Sequence, residues 1–383
     1  MSKVQATILL PFIDQLELNL KKYPQFIQVL LGPRQVGKTT TILHFLEKKY
    51  NKKFIYHSAD RIFSGEIGWL SDVWQKARRA KALLVIDEIQ KVENWAEHIK
   101  KFWDEEKQRS HPIQCVLLGS SSLDLHLGLS ESLTGRFQMI QISHWNFKES
   151  LQGYSLSFEE YLKVGGYPGS YCLRKNLAEW KQYVQSSILE TVIEKDILWN
   201  RKVKSPALFR QTFNLLTSYP AQEISYTKLL GQMQKSGNVE IVKNYIQLFE
   251  GAYLIKALEK FSTTPIRKRG SSPKILPLCP AISFLQDLGD LSAESRGRFF
   301  ELIVGATLLR TGYELMYWRE GPHEVDYVLK FGKKLWAIEV KSGRSRKFSG
   351  LSAFIKRFSH ANTRVIDLNN YQHFEENPRL FLE

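Results

Sequence analysis

Gly32-Pro33-Arg34-Gln35-Val36-Gly37-Lys38-Thr39 fits the pattern G-x-x-x-x-G-K-[ST] at every fixed position. Before it, Phe26-Ile27-Gln28-Val29-Leu30-Leu31 reads as a buried strand; after it, Thr39 to Tyr50 reads as a helix. That is the context the pattern needs. Its glycines let the backbone wrap so that N–H groups face phosphates, and the helix points its positive end at the anion. Lys38 is placed to reach the β- and γ-phosphates of ATP, and Thr39 to hold Mg²⁺. Gly32, Pro33, Arg34, Gln35, Val36, Gly37, Lys38, Thr39 and Thr40, with Asp87, form the expected nucleotide-binding set.

Working outward, Phe54-Ile55-Tyr56, Ala82 to Ile86, Gln114 to Leu118 and Met139 to Ile142 read as further strands spaced by helical segments. This spacing predicts an α/β fold with a parallel sheet covered on both faces. Leu83-Leu84-Val85-Ile86-Asp87-Glu88 is an apolar strand ending in an acidic pair. Asp87 is expected to hold magnesium through water, and Glu88 to polarise the attacking water. The next strand ends in Gly119-Ser120-Ser121-Ser122. Either Ser120 or Ser121 positions that water, or the serines cap the following helix. Arg136, in Leu133-Thr134-Gly135-Arg136-Phe137, either reaches a neighbouring subunit's nucleotide as an arginine finger or pairs with a surface carboxylate.

From Phe158 the pattern turns helical, through Trp180 to Leu198 and a segment bracketed by Pro206 and Pro220. Tyr226 to Gly231, a turn near Lys235 to Asn238, and Val239 to Leu248 read as helix–turn–helix, with Gly251 to Ile255 opening a wing. Phe261 to Pro280 reads as a loop or linker. Its Arg267-Lys268-Arg269, with Lys256, Lys260 and Lys274 nearby, makes a cationic loop that either meets DNA phosphates or is solvated.

After a predicted helix from Arg298 to Arg310 come strand candidates bearing acids. Glu301 lies on the helix, Asp326 on the first strand, and Glu339 and Lys341 two apart on the next, so sharing a face. Pairing the strands as a hairpin brings Asp326 beside them. Two carboxylates and a lysine then converge, as a divalent-metal phosphodiesterase site requires. Asp326 and Glu339 are the expected Mg²⁺ ligands, with Mn²⁺ as an alternative ion. Lys341 orients the attacking water, and Glu301 completes the charge. Arg344-Ser345-Arg346-Lys347 follows at once and either meets a phosphate backbone or is a solvated loop.

Gly-Pro-Arg-Gln-Val-Gly-Lys-Thr, Asp-Glu-Ile-Gln, Leu-Leu-Gly-Ser-Ser, Leu-Thr-Gly-Arg-Phe and Glu160-Tyr161-Leu162-Lys163-Val164-Gly165-Gly166-Tyr167-Pro168, in this order, resemble the prokaryotic AAA-type ATPases that carry a DUF4143 C-terminal region. The resemblance covers nearly the whole chain. It implies a P-loop ATPase core (residues 1–155), a helical lid (156–204), a winged-helix-like segment (205–270) and a restriction-endonuclease-like α/β domain (271–383). By analogy with such ATPases it also implies a homo-oligomer. The order Glu, Asp, Glu-x-Lys resembles the PD-(D/E)XK nucleases, with Val325 replacing the proline of the first motif. One departure stands out. Where the family has a strand ending in Asp-x-Gly, this chain reads Lys274-Ile275-Leu276-Pro277-Leu278-Cys279-Pro280.

The 383 residues carry 54 Lys and Arg against 39 Asp and Glu, a formal charge of +15. A basic surface favours a polyanionic partner, here DNA rather than a membrane. With 43% apolar residues the chain can bury sizeable cores, which excludes wholesale disorder. No apolar run reaches the roughly 18 residues of a membrane span, and no signal peptide is expected. Three scattered cysteines form no disulfide framework and suit the cytoplasm. The expected activity is Mg²⁺-dependent ATP hydrolysis acting on DNA, with a C-terminal domain that binds DNA and whose cleavage is open. The alternative is a nucleotide-dependent switch or scaffold with protein partners and an inactive nuclease fold.

Overall fold

The computed structural model describes residues 8–61, 67–119, 132–199, 201, 203–233, 238–262, 271–286, 291–343 and 349–383. Ser120, Ser121, the turn at 235–237, the basic run 267–269 and the run 344–347 lie outside them. The chain divides into two compact units, one of Met1–His144 with Thr191–Asn200, the other of Trp145–Glu190 with Arg201–Glu383.

In the first unit the elements run α1 (Phe12–Leu20), β1 (Ile27–Leu31), α2 (Lys38–Lys48), β2 (Phe54–Ser58), α3 (Ile67–Ala80), β3 (Leu83–Asp87), α4 (Trp95–Lys107), β4 (Cys115–Gly119) and β5 (Phe137–Gln141). The strands form one parallel sheet in the order β2-β3-β4-β1-β5. β1, β3 and β4 are buried at every position. That explains their unbroken apolar runs, because helices cover both faces. Trp74 and Ala77 of α3 and Ile99 and Trp103 of α4 pack with Val29, Leu31, Leu84, Ile86 and Leu117. Each such aliphatic side chain contributes about 1.5–3 kcal/mol. β4 lies between β1 and β3, so the Gly32 loop and Asp87 leave the same sheet edge from non-adjacent strands.

The second unit opens with α5 (Phe147–Tyr154) and α6 (Phe158–Val164), each started by a capping box, Asn146 with Glu149 and Ser157 with Glu160. Then come α7 (Pro206–Thr217), β6 (Gln222–Glu223), α8 (Tyr226–Gln232), α9 (Val239–Gly251), β7 (Ile255–Leu258) and β8 (Lys274–Pro277). The three strands pair antiparallel as β6-β8-β7. This corrects the linker expected from Phe261 to Pro280. Its end is a fully buried central strand, disguised by the flanking Pro, Ser and Lys. The departure at Lys274–Pro280 therefore still builds a strand.

The unit ends with α10 (Ala293–Leu309), β9 (Glu314–Glu320), β10 (His323–Phe331), β11 (Lys334–Lys341), α11 (Ser349–Arg357), β12 (Asn362–Asp367) and α12 (Tyr371–Glu376). Their sheet runs β12-β11-β10-β9. The first three strands form the expected antiparallel meander, and β12 joins β11 in parallel after the α11 crossover. β12 escaped the sequence reading because it is an edge strand, exposed at Asn362 and Thr363 and buried only at Ile366.

Candidate functional site

The Gly32 loop needs its glycines for two different reasons. A Cβ on Gly32 would meet Ile142 O at 2.5 Å, so the loop can pass this close only without a side chain. Gly37 adopts φ +82°, the left-handed conformation that starts α2. Lys38 folds back over the loop, its Nζ donating to the carbonyls of Gly32 (3.0 Å) and Pro33 (2.6 Å). Burial lowers its pKa to about 8, against the pull of Glu88 and Asp87. Thr39 Oγ1 donates to Asp87 Oδ2 at 2.6 Å, and Tyr56 OH donates to the same oxygen at 3.0 Å. The hydroxyl and carboxylate expected to share Mg²⁺ are thus in direct contact. This donor set fits the ion: oxygen ligands from one hydroxyl and one carboxylate leave room for phosphate and water. Burial raises the Asp87 pKa, opposed by the Thr39 hydrogen bond.

Glu88 follows at the strand tip with φ +52°, a strained backbone for a non-glycine residue, and its N–H is capped by Asp87 Oδ1 at 2.9 Å. Gln90 Nε2 donates to its carboxylate. Val36 is buried, while Gln35 and Thr40 are exposed. Arg34 turns its side chain to Asp196, with Nε and Nη2 donating at 2.6 Å each. Arg136 holds Asp104 of α4 in a bidentate pair at 2.8 and 2.9 Å. That is the surface-carboxylate arrangement its position allowed as one of two roles. Ser120 lies outside the described residues.

Tyr56 and Asp196 belong to this site without a motif that marks them in the sequence. Tyr56 aligns with Val85 in the β2–β3 register, two residues before Asp87, so that register brings its hydroxyl to the site. Nothing in the sequence near Asp196 announces its partner.

In the second unit the expected acids converge. Asp326 Oδ2 accepts from Val340 N–H at 2.7 Å, which pins β10 beside β11. Lys341 Nζ donates to Glu339 Oε1 at 2.6 Å. Glu339 is 8% exposed, and its Oε2 is buried without a hydrogen-bond partner. Burial raises the Glu339 pKa, and the nearby Asp326 charge adds to it. Glu301 pairs instead with Lys274, a fully buried lysine that also lies 3.7 Å from Glu324 and donates to Asp326 O at 3.1 Å. Burial works against the Lys274 charge, yet Glu301, Asp326 and Glu324 together hold its pKa above the ordinary value. Lys274 and Glu324 were not singled out as members of this cluster. Glu324, two residues before Asp326, was the available signal. Among the described residues no group of three or more His, Cys, Asp or Glu is arranged to hold a metal ion.

Residues 25–151 match the AAA domain family, 155–278 a domain of unknown function (DUF8612) and 296–378 a domain of unknown function (DUF4143). The chain carries an AAA-type ATPase domain and a DUF4143 region. Among curated proteins it is 25% identical to uncharacterized protein MJ1544 of Methanocaldococcus jannaschii over 389 residues, 92% of this chain and 85% of that one. It is 25% identical to uncharacterized protein Rv2008c of Mycobacterium tuberculosis over 326 residues, 82% of this chain and 70% of the relative. A Walker-type ATPase of Pyrococcus abyssi, PABY2304, superposes with a TM-score of 0.48 at 13% identity, covering 72% of this chain and 94% of that chain. The AAA-type ATPase domain thus contains the whole nucleotide constellation except Asp196, from the Gly32 loop through Asp87 and Glu88. Glu301, Asp326, Glu339 and Lys341 all fall in the DUF4143 region. Among the described residues no helix is long and apolar enough to cross a membrane.

Proposed function

We propose that this ATPase acts on DNA, and that its C-terminal acids form a divalent-metal phosphodiesterase centre of PD-(D/E)XK type. The carrying observation is Glu339 Oε2, a buried carboxylate oxygen with no hydrogen-bond partner, beside Asp326 and next to Lys341. Such an atom is costly unless a cation meets it. Asp326 and Glu339 would hold Mg²⁺ or Mn²⁺, which would supply Lewis acidity toward a phosphodiester. Lys341 orients water there. The helices Tyr226–Gln232 and Val239–Gly251 with the strands that follow serve as a winged-helix DNA contact, in keeping with the +15 charge. The chain works as a cytoplasmic homo-oligomer in which Arg136 leaves Asp104 and reaches a neighbouring subunit's nucleotide.

In the second reading the nuclease fold is inert and ATP controls a scaffold with protein partners. The pairing of Glu301 with Lys274 favours it, since that acid is already neutralised. One experiment separates the two readings. The purified protein is incubated with plasmid, linear and single-stranded DNA, with Mg²⁺ or Mn²⁺, with and without ATP. Cleavage lost in Asp326→Ala with Glu339→Ala, or ATP hydrolysis stimulated by DNA, supports the first. Neither effect under any condition, with stimulation by a protein alone, establishes the second.

A further inference from the structure

Arg34 belongs to the phosphate-binding loop, yet its guanidinium is held from 162 residues along the chain. Asp196 accepts both of its hydrogen bonds and is itself 4% exposed. A carboxylate buried this far persists only when paired. The pair lies within one unit, because Thr191–Asn200 folds with the N-terminal unit although the chain on either side belongs to the other. Val192–Leu198 is wound as a π-helix, a rare winding that is frequent at functional sites. Val192, Ile193 and Ile197 are buried and anchor the segment, which fixes where Asp196 points.

Arg34 is also within electrostatic reach of the groups expected to handle the terminal phosphate. Burial opposes its charge, while Asp196, Glu88 and Asp60 sustain it, and Arg34 in turn acts on Lys38. A guanidinium fork fits a carboxylate and a phosphate with the same two-bond geometry. Asp196 and a phosphate group therefore compete for one fork. ADP, ending at the β-phosphate, lacks the group that competes.

We propose that Arg34 senses the γ-phosphate and that Asp196 is its competitor, so that ATP but not ADP draws the guanidinium off Asp196 and frees the Thr191–Asn200 segment. Asp196 is then a positioning residue that sets the preference between the two nucleotides. Trp199, 78% exposed and three residues beyond Asp196, is a reporter already in place. The proposal rests on nucleotide binding at the Gly32 loop.

The test measures dissociation constants of the full chain for a non-hydrolysable ATP analogue and for ADP, both with Mg²⁺, by calorimetry. In Asp196→Asn the analogue should bind about tenfold more tightly, the worth of one charge-assisted bond no longer broken, while ADP affinity stays within about twofold. Asp196→Glu should keep the wild-type preference. Arg34→Ala should narrow the preference for the analogue over ADP, leaving only what Lys38 and Mg²⁺ contribute. In wild type the analogue should change the tryptophan emission, ADP should not, and Trp199→Phe should abolish the difference. Equal weakening of both nucleotides in Asp196→Asn makes Asp196 a brace of loop shape and overturns the proposal, as does unchanged affinity for both. Where Asp196→Asn does not fold, Arg34→Ala decides alone: a preference for the analogue as large as that of wild type overturns the idea. A wild-type chain that binds neither nucleotide removes the ATP site itself, a result distinct from all of these.

Discussion

Lys38 and Lys274 are both buried, 7% and 0% exposed, and their surroundings treat them in opposite ways. Lys38 faces the carbonyls of Gly32 and Pro33, and burial pulls its pKa down to about 8. Lys274 faces Glu301, Glu324 and the carbonyl of Asp326, and those acids outweigh burial and hold its pKa up. Carbonyl dipoles solvate an ammonium without cancelling its charge. Carboxylates cancel it. The ATPase domain therefore keeps a buried positive charge free for an incoming anion, while the second unit has neutralised its own. The same residue type at similar burial faces carbonyl dipoles in one region and is a fixed internal counter-ion in the other.

The largest expected effects lie on the ATPase side. Lys38→Ala should abolish ATP binding or turnover. Glu88→Gln should retain ATP and lose on the order of 10²–10⁴ in hydrolysis rate, the usual worth of a general base. Hydrolysis at the wild-type rate removes Glu88 from that role. Arg136→Ala should leave nucleotide affinity nearly intact while hydrolysis falls, by on the order of 10³–10⁵ for a full arginine finger. A loss under about threefold assigns Arg136 to its pair with Asp104 alone. Mixing Arg136→Ala with Lys38→Ala chains should restore part of the activity if the arginine works between subunits.

The comparison of lysines is broken or kept by stability. Lys274→Met strands Glu301 in the interior without a counter-charge, which should cost about 3–5 kcal/mol in urea unfolding. Adding Glu301→Gln should recover much of that loss, because the two residues share one interaction. Lys38→Met removes a buried charge that no carboxylate touches, so stability should stay level or rise. Equal losses from the two Lys→Met changes would show that the surroundings do not distinguish them.

The two sites also differ in how far they could be read without coordinates. The Gly32 loop, Asp87 and Glu88 were legible because a phosphate site is made locally: a turn, a strand tip and a helix start, each with its own spacing. Asp326, Glu339 and Lys341 were legible through strand period and hairpin pairing. Lys274 was hidden, since it acts from a strand that read as linker and reaches its acids through tertiary packing. Asp196 was hidden for the same reason. Its function comes from where the Val192–Leu198 turn lands, and nothing in Glu194-Lys195-Asp196-Ile197 states that. Ion pairs formed across long stretches of chain leave no local period.

The smallest expected effect concerns proton linkage at Lys38. In the nucleotide-free chain its pKa is lowered from 10.5 to about 8, with burial the largest cause. Only the protonated amine attracts phosphate. ATP affinity should therefore be flat below about pH 8 with respect to this group. Above it, the dissociation constant should rise toward tenfold per pH unit, with one proton taken up per ATP bound. Stability without nucleotide moves the other way. The unfolded chain keeps this proton up to about pH 10.5 and the folded chain loses it near 8, so unfolding takes up a proton across that window and stability rises with pH. Calorimetry from about pH 7 to 9.5, in two buffers of different ionisation enthalpy, reads the proton uptake directly. Lys38→Arg supplies the control, because a guanidinium stays charged throughout and its affinity should show no such slope. A wild-type affinity as flat as that of Lys38→Arg would mean that the Gly32 and Pro33 carbonyls solvate the ammonium as well as water does, and the contrast with Lys274 would lose its electrostatic basis.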